Sequence, residues 1–157
     1  MKVLRLVVVA LVALLAVPAF AQDKPASNMD ILRQKIKADK KLVVAANMDL
    51  TEAEAKGFWP VYDAYQADLE NLNVRIAKLV LQYADLYQKN ALTDEVAKSL
   101  LDEALAIEQA EVTLKQATVP KLAAAMPATK VARYIQIENK IRAVIKFELA
   151  DGIPLVP

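Results

Sequence analysis

The chain has 157 residues, with no histidine, no cysteine, two glycines, two serines, 28 alanines and a formal net charge of +1. That composition excludes imidazole acid/base chemistry, thiol catalysis, disulfides and His- or Cys-ligated metals. Ser27 and Ser99 have no histidine to activate them, and two glycines cannot build a Gly-rich phosphate loop. The expectation is a protein that is not an enzyme and carries neither cofactor nor metal.

Residues 1–21 read as a signal peptide. Lys2 and Arg5 form a basic start, residues 6–17 are unbroken apolar, and Ala19-Phe20-Ala21 fits a small-x-small cleavage site after Ala21. The apolar run is short for a membrane span of ~20 residues. The expectation is an exported, periplasmic protein with no stable membrane insertion. Removing Lys2 and Arg5 leaves 18 basic against 19 acidic residues, a charge of −1. That balance does not suit nucleic acid. Residues 22–28 read as a disordered leader with a proline, and 29–157 as one helical domain with a short apolar tail.

The first helix is predicted to start near Asn28 and to carry the stripe Met29, Leu32, Ile36 and Val43, with a break at Asn47-Met48-Asp49. Thr51-Glu52-Ala53-Glu54 is a capping box that opens a long second helix. Phe58, Tyr62, Tyr65, Leu69, Leu72, Ile76, Leu79, Tyr83 and Leu86 alternate four and three apart, a coiled-coil a/d seam. Pro60, helped by Gly57, predicts a kink at 56–60 and not a stop. A helix from 52 to 89 would be ~57 Å long at 1.5 Å per residue. A compact globule of this size has a radius of gyration of only ~14 Å.

Asn90-Ala91-Leu92 is the next break, and Thr93 caps a third helix with the stripe Val96, Leu100, Ile107, Ala110, Leu114 and Ala117. Pro120 is predicted to bend it and Met126-Pro127 to end it. Ala128 or Thr129 opens a fourth helix, whose expected inner face is Val131, Tyr134, Ile137, Ile141, Val144/Ile145 and Leu149. Gly152 suits a left-handed residue past its end, and the tail Ile153–Pro157 is expected to fold back on the helices. No segment alternates with period two. The reading is all-α: four helices as elongated, kinked antiparallel helical hairpins, with homodimer formation covering the stripes that one thin hairpin leaves open.

Charge is segregated: residues 49–70 and 93–111 are acidic, and 22–41 and 112–148 are basic. Pairing of antiparallel helices, or of two subunits, accounts for this pattern. The pairs Glu52/Glu54, Asp68/Glu70, Asp102/Glu103 and Glu108/Glu111 read as solvated helix surface, since a di-iron bundle needs histidines beside its glutamates. Glu138 and Arg142 read as an i,i+4 ion pair on the edge of the fourth helix. Leu50-Thr51 and Leu92-Thr93 echo one another, as two helix starts would.

The start Leu50-Thr51-Glu52-Ala53-Glu54 of the long helix, in an exported all-helical chain without cysteine, resembles the LTxxQ-motif periplasmic family of Spy/CpxP-like helical chaperones and stress proteins. Glu54 replaces the motif's glutamine, and the second copy, Leu92-Thr93-Asp94-Glu95-Val96, carries Val96 there. The resemblance covers roughly residues 48–150. It implies an ATP-independent chaperone or envelope-stress protein. Such a protein would hold unfolded clients on a dimeric cradle with apolar patches and basic rims. The expected client contacts are Phe58, Trp59, Tyr62, Lys35, Lys37, Lys40 and Lys41. The alternative is a structural or regulatory interaction module that binds one specific envelope partner.

Overall fold

The structure, a computed structural model, describes residues 40–157, and all regular structure within them is helical. The residues read as a signal peptide and leader, the expected start of the first helix with Met29, Leu32 and Ile36, and Lys35 and Lys37 lie outside the described residues. We label the helical segment 40–48 α1; α2 is Glu52–Gln88, α3 is Asp94–Ala123 and α4 is Ala128–Gly152.

Local chemistry sets the helix starts. The Thr51 hydroxyl accepts from the Glu54 amide at 3.3 Å, and the Glu54 carboxylate accepts from the Thr51 amide at 2.8 Å, completing the capping box of α2. Thr93 caps α3 in the same way through the Val96 amide at 3.3 Å, but Val96 has no carboxylate to return the bond. The echoed Leu-Thr pairs are therefore two helix starts. The chain reverses before each through a left-handed residue, Asp49 (φ 46°) and Asn90 (φ 50°). Aspartate and asparagine visit this region at lower cost than other non-glycine residues.

α2 runs unbroken through Pro60. Pro60 and Lys56 are both exposed, so the Lys56 carbonyl that loses its amide partner can turn to water. Gly57 also makes a close approach possible. A Cβ built there would stand 2.6 Å from the Ala125 Cβ, so glycine lets α2 approach the turn after α3. The expected left-handed Gly152 is corrected, because the helix continues to Gly152 and neither glycine has a positive φ.

The core lies around the first half of α2. Phe58, Tyr62, Tyr65, Leu69 and Leu72 are buried against Leu122 and Met126 from the α3 end, Val131 and Tyr134 of α4, and Val44 and Met48 of α1. From Ile76 onward the same seam is only half-buried at Ile76, Leu79, Tyr83 and Leu86. Gly57 meets Ala125 while Arg75 meets Glu103, so contacts progress in opposite directions along α2 and α3. Gln66 reaches Glu138 and Asn73 reaches Arg142, so they progress in the same direction along α2 and α4.

Leu100 and Ile107 of α3 and Val131 and Tyr134 of α4 are buried as expected, but the rest of the inward faces differ in part from the expected stripes. On α1 the inward pair is Val44 and Met48, and Val43 faces solvent. On α3 the buried line is Leu100, Ile107, Glu111, Thr118 and Leu122, and Ala117 is exposed. On α4 it is Val131, Tyr134, Glu138 and Arg142, with Ile137, Ile141 and Ile145 to one side and Val144 exposed. Charged side chains thus occupy positions that an apolar pattern leaves blank. The tail touches α2 where the Tyr83 hydroxyl donates to the Pro154 carbonyl at 2.8 Å, and Leu155 and Val156 stay exposed.

Candidate functional site

Four rings gather where α1, α2 and α4 meet. The Phe58 ring is edge-on to Trp59 at 4.9 Å and to Tyr134 at 5.1 Å, and Tyr62 is edge-on to Trp59 at 5.4 Å. Edge-to-face pairs at these distances set positive ring edges against negative faces. The sequence expectation made Phe58, Trp59 and Tyr62 contact residues. The structure buries Phe58 and Tyr62 in the core and leaves neither a surface contact, while Trp59 is half-buried at its edge. Burial, with the nearby Glu138 and Asp63 carboxylates, pushes the Tyr62 hydroxyl up to about 12.

The two described lysines of the expected set take different places, one over the rings and one beneath. Lys41 Nζ lies 5.1 Å from the Trp59 ring centroid and 5.7 Å from that of Tyr62, and it pairs with Asp63 at 2.7 Å. Lys40 points inward. Its ammonium donates to Glu138 Oε2 and to Gln66 Oε1, both at 2.8 Å, and Gln66 Nε2 donates to Glu138 Oε1 at 2.9 Å. Glu138 is fully buried, and both its oxygens are satisfied by this triangle. A buried carboxylate persists only when paired and hydrogen-bonded in this way.

One turn further along α4 lies a second charged layer. Arg142 Nη2 donates to Glu111 Oε2 at 2.6 Å, Arg142 Nη1 donates to Asn73 Oδ1 at 2.9 Å, and Lys115 Nζ donates to Glu111 Oε1 at 2.9 Å. Burial alone would raise the Glu111 carboxyl, but the Arg142 and Lys115 hydrogen bonds outweigh it and hold it at about 2. Sequence reasoning placed Glu111 on the solvated surface and joined Glu138 to Arg142. Both expectations are corrected: Glu111 is buried, and each of the other two takes its charge partner from another helix. The available signal was the polar interruption of each stripe. Glu111 lies four residues after Ile107, and Glu138 four after Tyr134, at core spacing. Of the other expected surface acids, Glu54 and Glu103 are half-buried in bridges to Lys130 and Arg75, and the remainder are exposed.

Outside the core, α3 carries a second apolar line. Leu101, Leu105, Val112 and Val119 are exposed. At 100° per residue they fall within about 40° of one another, one flank of the helix. Glu108 and Lys115 interrupt that flank at the intervening turns. Among the described residues no group of acidic side chains could hold a metal ion, and no helix is long and apolar enough to cross a membrane. Set against protein-family models, curated proteins and solved structures, the chain matches none.

Proposed function

We propose that this chain is an exported, ATP-independent helical chaperone or envelope-stress protein that binds unfolded clients without catalysis. The observation that carries the reading is the exposed line Leu101, Leu105, Val112 and Val119 on α3, edged by charge. Apolar surface arranged as a stripe and bordered by charged groups suits many partners held weakly. The Leu50-Thr51 helix start and the signal-like residues 1–21 support export and the LTxxQ-type comparison. The half-buried second half of the α2 seam, from Ile76 to Leu86, supports a homodimer in which a second copy completes the cover.

The test is light scattering. Residues 22–157 are titrated into two unrelated unfolding clients without ATP. Suppression of both is expected, with loss of suppression in Leu101→Glu/Leu105→Glu. No effect on either client at several-fold molar excess overturns the reading. The second reading, one specific envelope partner, is favoured by the heptad spacing of Leu105, Val112 and Val119, which suits a single helix laid along α3. A pull-down dominated by one stoichiometric protein would support it.

A further inference from the structure

The aromatic groove between α2 and α4 is filled by a short piece of the chain itself. We propose that this groove is a docking site for an amphipathic helix carrying a lysine or arginine one turn ahead of an i,i+4 apolar pair, and that residues 40–48 are its displaceable occupant. The proposal deepens the client-binding reading and rests on it for the source of the displacing helix.

The seated segment shows what the groove recognises. Lys40, Val44 and Met48 are one turn apart on one face. Val44 and Met48 are 0% exposed against the rings, and Lys40 enters the triangle with Glu138 and Gln66. Lys41 covers the rim at Trp59. The other face is turned to solvent, with Leu42 65% and Val43 40% exposed. Among the described residues α1 is held by these two apolar side chains and two lysines and by a 3.4 Å bond from Arg133 to the Asn47 carbonyl, and Lys130 donates to the Asp49 carbonyl just past its end at 2.7 Å.

The connection from α1 to the Thr51 cap of α2 is two residues long: left-handed Asp49, whose carbonyl accepts from Lys130 at 2.7 Å, and Leu50, which packs against the core edge. The α2 start is capped by its own Thr51 and Glu54, so α2 keeps its first turn whether or not α1 is seated. Beside the end of the occupant, an open cleft of about 470 Å³ is lined by Met48 and Asp49 and by Lys130, Arg133 and Gln136 on the flank of α4. Segments with few buried contacts open locally without global unfolding.

Glu138 supplies the selectivity. When Lys40 leaves, a fully buried carboxylate loses the cation it is paired with among the described residues. That state is costly unless another cation enters. A purely apolar helix leaves Glu138 uncompensated, whereas one bearing lysine or arginine at the matching turn restores the pair.

Two measurements decide. In hydrogen exchange on the unaltered protein, amides 44–48 should exchange at least ~100-fold faster than amides 62–66 of α2, as local opening requires. Equal protection of the two segments overturns the proposal. In the second, a fluorescein-labelled peptide with the sequence of residues 36–50 is added in trans to the parent and to Val44→Ser, which loosens the occupant. At least ~10-fold tighter binding to the variant is expected, and ~10-fold weaker binding of a peptide with alanine in place of its first two adjacent lysines. Equal affinity of the peptide for both proteins, or indifference to the lysines, overturns it. Should Val44→Ser fail to fold, the exchange experiment on the parent decides alone. Loss of these signals with aggregation suppression intact removes the groove and leaves the chaperone reading standing. The reverse result removes the chaperone reading and leaves the groove.

Discussion

The Arg142 guanidinium donates to the Glu111 carboxylate at 2.6 Å, and the two side chains are only 4% and 5% exposed. Removing one partner strands a charge in the core, so Arg142→Ala or Glu111→Ala should each cost about 3–5 kcal/mol. Replacing both, as Glu111→Leu/Arg142→Met, should return stability close to the parent, because no charge is left buried without a partner: Lys115 and Lys146, which also pair with Glu111, reach solvent. Urea unfolding of the three variants checks this. A double variant no more stable than the single ones would mean that the pair contributes net stability of its own.

The same carboxylate makes stability depend on acid. Its folded pKa of about 2 lies below the ordinary 4.5. The contribution is complete above the unfolded value and is lost as pH falls from about 4.5 towards 2. The urea midpoint should drop across that window, and Glu111→Gln should flatten the slope. A parent midpoint that is constant across the window would contradict the assignment.

At the alkaline end the sign reverses. Burial, first, and the Glu138 carboxylate raise the hydroxyls of Tyr62, Tyr65 and Tyr134 above the usual 10.0. Their contribution is complete below pH 10.0 and is lost as pH rises towards the folded values. Absorbance at ~295 nm should show these three tyrosines ionising together with the loss of helical circular dichroism.

Gly57 is a close-approach residue. Gly57→Ala gains up to ~1 kcal/mol in helix propensity. It also forces a Cβ to within 2.6 Å of Ala125. Overpacking of this kind costs about 1–3 kcal/mol, so net destabilisation is expected. Gly57→Ala/Ala125→Gly should recover most of the loss in a thermal melt.

Trp59 is the only tryptophan, so its emission reports on the packing of α1 against α2. Lys41→Ala removes the cation above the ring and should shift that emission while costing about 0.5–1 kcal/mol. Lys41→Arg should leave both nearly unchanged, because a guanidinium can occupy the same place.

Much of the fold is legible in the amino-acid order alone. Helix starts at Thr51 and Thr93, breaks around Asp49 and Asn90, and the apolar seam from Phe58 to Leu72 follow from capping chemistry and helical period. Both are local and act within a few residues. The continuation of α2 through Pro60 is legible for the same reason, since it costs one hydrogen bond near a solvent-facing helix start.

What the tertiary structure decided was the inward direction of each polar side chain. Lys40, Glu111, Glu138 and Arg142 look like surface residues to any rule that sorts by hydrophobicity. They are buried or nearly so because each meets an opposite charge from a helix far away in sequence. The rings of Phe58 and Tyr62, read both as seam residues and as candidate client contacts, are closed off from a client for a related reason: Val44 and Met48 arrive over them with Lys40. Periodicity reports the face a residue occupies on its own helix. Which helix lies across from that face, and whether it brings the compensating charge, depends on how separate helices pack, and only the folded arrangement contains that information.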